Sequence, residues 1–151
     1  GGMKQRLLIA QAFLGDPEVV FMDEPTAGLD PKERIRIRNL ISEMALGKIV
    51  LIATHIVSDV EYISKEILLL KHGEIIGSGN PESLEKELYG IVYEKKVTVE
   101  QLKEIQDKYL VAGIREEGNQ VVVRYLDSKS DEETTVWPTL DDVYLYHFYK
   151  E

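Results

Sequence analysis

The 151-residue sequence predicts an α/β protein: a parallel sheet with flanking helices over residues 1–88, followed by a small α+β extension over residues 89–151. Three observations carry this. Two apolar runs, residues 19–22 and the "IVLIA" that follows Lys48, alternate with segments of helical period, as strands buried on both faces of a parallel sheet do. Gly and Pro punctuate the helical segments. After Tyr89 the pattern changes to strands joined by polar turns, interleaved with amphipathic helices.

Taken in order, Leu7, Ile9, Ala10, Ala12, Phe13 and Leu14 ride on a helical period across residues 3–14, and Gly15-Asp16-Pro17 ends it. Residues 19–22 read as a short, fully buried strand. Asp30 is placed as an N-cap with Pro31 at the first helical position, and Ile37, Leu40, Ile41 and Met44 continue one apolar face until Gly47. "KIVLIA" is a second buried strand. Val57–Ile63 reads as a short helix, residues 66–71 as a strand, "KHGEII" as a tight turn into another strand, and "GNPESLEKEL" as a helix start. In the extension, Val99–Lys108 has a helical pattern, residues 109–115 and 120–126 are strands joined by "EEGN", and "DSKSDEETT" is a solvated connection. "PTLDDVYLYHF" is a terminal helix with Leu140, Val143, Tyr144, His147 and Phe148 on one side.

Composition narrows the function. At 44% hydrophobic and 30% charged residues the chain belongs with soluble globular proteins. Its apolar runs are far shorter than the roughly 20 residues of a membrane-spanning helix. With no Cys there is no disulfide framework and no thiolate metal site, which suits a reducing cytoplasm. No secretory signal is visible. The opening Gly1-Gly2-Met3 is the start of a piece of a longer chain, or a tag scar. The net charge of -9 is spread evenly, with 10 basic and 14 acidic groups in residues 1–88 and 8 and 13 in residues 89–151. Neither part is a basic lobe, so no nucleic-acid partner is expected.

Chemistry concentrates in "VVFMDEPTAGLD", where an apolar strand ends on Asp23 and Glu24. Ligands of open parallel sheets bind at the carboxyl ends of strands. A carboxylate there can hold hydrated Mg²⁺, and a second can orient a water for attack on phosphate. An isolated "DE" pair is ordinarily a cap and a solvated acid; its neighbours decide otherwise. "GGMKQR", "VVFMDEPTAGLD" and "ATH" at Ala53 to His55 stand in the order and at the separations of the nucleotide-binding subunit of ATP-binding cassette (ABC) proteins, and residues 1–88 resemble that family.

The resemblance implies a partial P-loop NTPase-type sheet, with ATP and Mg²⁺ as ligands. It makes Gly1 and Gly2 the glycines of the signature motif. Met3 stands where the family usually has Gln, and Arg6 matches the motif's Arg. Asp23 becomes the Walker B aspartate that binds metal, and Glu24 the catalytic glutamate that polarises the attacking water. Ala27 to Asp30 becomes the D-loop crossing a dimer interface, and His55 the switch histidine that reads the γ-phosphate. Independently of the family, a helix start offers free N–H groups to phosphate, and glycine lets it approach closely. His72 in a turn, His147 on an amphipathic helix, and the solvated face of Arg34, Arg36 and Arg38 are read as structural.

No G-x-x-x-x-G-K-[ST] segment occurs in these residues, so the phosphate-wrapping loop and its lysine are missing. Without them, each carboxylate at about 4 Å from a triphosphate costs about 4 kcal/mol at an effective dielectric of about 20. The expectation is the C-terminal portion of an ATPase subunit that does not hydrolyse ATP alone. In the full-length protein it would work with a second ATPase subunit and a membrane permease, in the cytoplasm and peripheral to the membrane, in a system that resembles exporters. A soluble ABC-type ATPase acting on ribosomes or DNA, and a non-catalytic regulatory module of the same fold, are the alternatives.

Overall fold

The computed structural model describes residues 2–127 and 135–149; Gly1 and most of the "DSKSDEETT" connection lie outside the described residues. The chain forms two compact units, Gly1–Ser64 and Lys65–Glu151.

The first unit contains helix α1 (Gly2–Ala12), strand β1 (Val19–Asp23), helix α2 (Pro31–Met44), strand β2 (Ile49–Ala53) and helix α3 (Val57–Ile63). β1 and β2 pair in parallel, from Val19 with Ile49 to Asp23 with Ala53. Asp30 caps α2 as expected: its carboxylate accepts from the Glu33 N–H at 3.0 Å, with Pro31 in the first turn. Ile37 and Ile41, one helical turn apart, are buried with Ile9, Phe13, Val20 and Met22. Full burial of such a side chain contributes about 1.5–3 kcal/mol, so this cluster fixes α1 and α2 against one face of the sheet.

The expectation of strands buried on both faces is corrected. β1 alternates: Val20 and Met22 are buried, whereas Val19 and Phe21 are exposed, Phe21 by 75%. Ile49 and Leu51 on β2 are exposed likewise. The cause is layering, because α1 and α2 reach only the face that carries Val20 and Met22. A continuous apolar run therefore shows which strand could be buried twice, and here one face lacks a cover among the described residues.

The second unit begins with an antiparallel hairpin of β3 (Ile67–Lys71) and β4 (Glu74–Gly79), joined by the tight turn that "KHGEII" predicts. His72 and Gly73 form its two-residue turn with φ of 53° and 83°. Two left-handed residues match the twist of the flanking strands, so His72 has the structural role read for it. Helix α4 (Pro81–Glu87) follows, capped by Asn80. Strand β5 (Val92–Val97), helix α5 (Val99–Lys108), strands β6 (Leu110–Glu117) and β7 (Gln120–Leu126) and helix α6 (Leu140–Tyr149) complete the second unit. Its three-stranded antiparallel sheet has the order β5-β7-β6. Thr98 and Gln101 close a reciprocal capping box at α5.

β5 escaped sequence reading because "VYEKKV" has no period of two. Its charges are spent across the sheet: Glu94 takes both Arg115 nitrogens at 3.0 and 2.8 Å, and Lys96 meets Glu117 at 2.7 Å. Arg124 on β7 reaches the buried Asp142 of α6, tying that helix to the sheet. No helix among the described residues is long and apolar enough to cross a membrane.

Candidate functional site

The parallel register places Asp23 opposite Ala53, so the residues after each strand, Glu24 and Thr54-His55, leave the sheet side by side. The Glu24 N–H donates to the Ala53 carbonyl at 2.8 Å, one last ladder bond. Glu24 then turns with φ of 46°. That left-handed conformation costs a non-glycine residue about 1–3 kcal/mol and persists only where surroundings enforce it. Asp16 and His72 share it in ordinary turns; at Glu24 it aims a carboxylate at the neighbouring strand end.

Three donors receive that carboxylate. Thr54 Oγ1 donates to Oε2 at 2.9 Å, the His55 N–H to Oε1 at 3.1 Å, and His55 Nδ1 lies 2.6 Å from Oε1. Burial alone would raise the Glu24 proton affinity, but the hydrogen bonds from the His55 ring and Thr54 outweigh it and hold the carboxyl below its usual range. An ionised carboxylate only accepts, so Nδ1 carries the proton and Nε2 is left as the second ring nitrogen. The His55 side chain is 73% exposed and free to meet a ligand.

A pH dependence follows. A carboxyl whose proton affinity is lower in the folded chain than in the unfolded one contributes stability that is present above the ordinary carboxylate range and is lost as pH falls through the folded value. Replacing His55→Ala should move the Glu24 titration back up toward the ordinary range. Carbon-13 titration of the side-chain carboxyls checks this; an unmoved Glu24 midpoint would mean that Thr54, the backbone N–H of residue 55 and burial set it without the ring.

The other residues singled out by sequence fall into two places. Asp23 flanks Glu24 at the strand end, exposed. Asp30 starts α2, its carboxylate engaged in the cap. Gly2 opens α1, where an added Cβ would lie 2.5 Å from Glu33 Oε2; Glu33 is in turn paired with Arg36 and, at 3.5 Å, with Arg6. Gly2, Arg6 and Asp30 thus converge on Glu33, away from any direct bond to Glu24. Met3 is 81% exposed, and Gly1 lies outside the described residues.

Sequence reasoning missed Thr54, which sits between two residues already singled out, and a buried group formed by Thr26, Asp59 and Arg38. Thr26 Oγ1 donates to Asp59 Oδ2, and both residues are almost wholly buried. The solvated face expected of Arg34, Arg36 and Arg38 is true of Arg36 alone. Arg34 is half-buried, and Arg38 donates to the Ser58 carbonyl at 3.1 Å and lies 3.5 Å from Asp59 Oδ1. The signal was an acid in the first turn of α3, which the 3.6-residue period alone cannot distinguish from a solvated one.

No family model matches the chain. Its relatives are ABC transporters and ABC transporter ATP-binding proteins. It is 36% identical over 107 residues to ABC transporter A family member 8 of Dictyostelium discoideum, covering 71% of this chain and 13% of that protein. It is 42% identical over 91 residues to the Nod factor export ATP-binding protein I of Rhizobium johnstonii, covering 60% and 29%. An ATP-binding cassette solved as a dimer in a post-hydrolysis state with ADP and Pi has a TM-score of 0.48 and 31% identity, over 52% of this chain and 34% of that one. The chain spans less than a third of the length of these two curated relatives.

Proposed function

We propose, from this kinship with ABC transporters and their ATP-binding proteins, that the chain is part of an ABC ATP-binding subunit which hydrolyses ATP to drive a separate membrane permease. Residues 1–88 belong to the ATPase domain and residues 89–151 form an extension. The observation that carries the chemistry is the Glu24–His55 pair, 2.6 Å apart at the end of a parallel strand pair on a strained backbone.

Asp23 is the Mg²⁺ ligand in this reading. Among the described residues no group of three or more His, Asp or Glu could hold a metal. A single exposed carboxylate suits Mg²⁺, which keeps waters and substrate phosphates in its shell rather than entering an all-protein cage. The ion would neutralise phosphate charge. Glu24 has its two oxygens engaged by three donors and about one acceptor position left. Its low proton affinity makes it a weak base but a firm acceptor. It therefore orients a water, which is what phosphoryl transfer with a loose transition state requires. His55, fixed through Nδ1, offers Nε2 as a donor to a phosphate oxygen when the ring is protonated.

The start of α1, with Gly1, Gly2 and Met3, and the loop ending at Asp30 are assigned to the face toward a second ATPase subunit and its ATP. Location in the cytoplasm, peripheral to the membrane through the permease, follows from that assignment, and the name of the Nod factor export relative supports an export direction.

The test compares the full-length protein with the isolated 151 residues. The full-length protein should release phosphate from Mg-ATP, and the isolated chain should show no useful turnover, having no phosphate-wrapping loop of its own. An isolated chain turning over at an ordinary enzymatic rate of about 10 s⁻¹, with that rate lost in Glu24→Gln, would contradict the assignment of a partial site. A full-length protein that neither binds nor hydrolyses ATP would contradict the function itself.

A further inference from the structure

We infer that Asp59 is a positioning residue of this ATPase centre: by its hydrogen bond from Thr26 it keeps the Glu24 loop and the His55 segment in register. The inference rests on the reading of Glu24 and His55 as the catalytic pair.

Two tethers join the same two segments. The first is Glu24 with Thr54 and His55, at the surface. The second is Thr26 with Asp59, two residues beyond Glu24 and four beyond His55. They differ in burial, since the His55 side chain is 73% exposed while Thr26 is 0% and Asp59 2% exposed. The first tether consists of the groups that meet phosphate and water in the reading above. The second touches no ligand and can persist. It is also anchored from a third element: Arg38 of α2, its side chain 14% exposed, lies 3.5 Å from Asp59 Oδ1, donates to the Ser58 carbonyl, and stacks 4.5 Å from the Tyr62 ring centroid. α2 itself starts at Asp30, the end of the loop that begins at Glu24. Asp59 thus binds the loop, the helix that follows it, and the segment carrying His55.

The chemistry of the group fits this use. A carboxylate at 2% exposure is costly unless paired, and its Oδ1 has no hydrogen-bond partner among the described residues, only the Arg38 charge. An apolar side chain would fill that space without the cost. What the acid adds is a directional acceptor for Thr26, and a displacement of about 1 Å in catalytic groups can cost about a hundredfold in rate.

Steady-state ATP hydrolysis by the full-length protein tests this, each rate normalised to sites counted by equilibrium ATP titration so that unfolded protein does not contribute. Thr26→Val, which keeps the shape and removes the hydroxyl, and Asp59→Leu, which fills the space and removes the acceptor, should lower kcat about tenfold or more while the KM for ATP stays within about twofold. Thr26→Ser, which keeps the hydroxyl, should retain kcat within about twofold of the unmodified protein. Unchanged kcat per site in Thr26→Val and Asp59→Leu, an effect confined to KM, or a Thr26→Ser variant as impaired as Thr26→Val would each overturn the inference while leaving the ATPase reading intact. Absence of hydrolysis in the unmodified full-length protein would remove that reading and the inference with it.

Discussion

Glu24→Gln in the full-length protein is expected to lower ATP turnover by at least about a hundredfold, the cost of losing the position of the attacking water, and to leave ATP affinity nearly unchanged. The geometry says why binding and chemistry should separate. The Glu24 carboxylate hydrogen-bonds to Thr54 and His55, not to the α1 start or to Asp30. The substituted amide keeps one oxygen for the His55 N–H. Its NH₂ meets Thr54 Oγ1, which accepts from Ile56 N–H at 3.1 Å and has a second lone pair available. The fold should survive. What is lost is the negative charge that orients water and keeps Nδ1 protonated. Phosphate release and nucleotide titration measure the two sides, and a proportionate fall in both would place Glu24 in ground-state binding instead.

Gly2→Asp is expected to abolish turnover by a different route, preventing an ATP-loaded dimer from closing. A negative side chain at the start of α1 opposes the partner's phosphates, where the free N–H groups and the helix dipole favour anions. The structure adds a competing cause within the same chain. Even a Cβ at Gly2 would lie 2.5 Å from Glu33 Oε2, and Glu33 can swing away only by giving up Arg36 and Arg6. Combining Gly2→Asp with Glu33→Ala separates the two. Relief of the clash should restore the melting temperature but not the dimer. A double variant that dimerises with Mg-ATP would show that the block lay in the contact with Glu33 and not in phosphate docking.

How much of this was legible beforehand depended on whether the signal was local. α2 was readable because Asp30, Pro31 and the Ile37–Ile41 spacing state its start and its inner face in fourteen residues. The Glu24–His55 juxtaposition was readable in outline, since both follow apolar strands and parallel neighbours end at one edge. The left-handed turn at Glu24 and the three donors that lower its proton affinity were not, for they depend on the register Asp23 with Ala53. Nor was the uncovered face of Phe21 and Ile49, because an apolar run records what a strand can bury and not what lies over it. β5 was hidden by Glu94, Lys95 and Lys96, at least two of which are charges spent on cross-strand ion pairs. Arg38 and Asp59 looked like solvated helix charges until α2 and α3 brought them together.

Size-exclusion chromatography of the full-length variants with Mg-ATP bears most directly on the claim that Glu24 performs chemistry while the α1 start completes a partner's site. The account predicts a stable dimer for Glu24→Gln, loaded with ATP it cannot hydrolyse, and a monomer for Gly2→Asp. If both ran as monomers while the unmodified protein dimerised, Glu24 would not be the catalytic carboxylate, nor the start of α1 a site completed in trans.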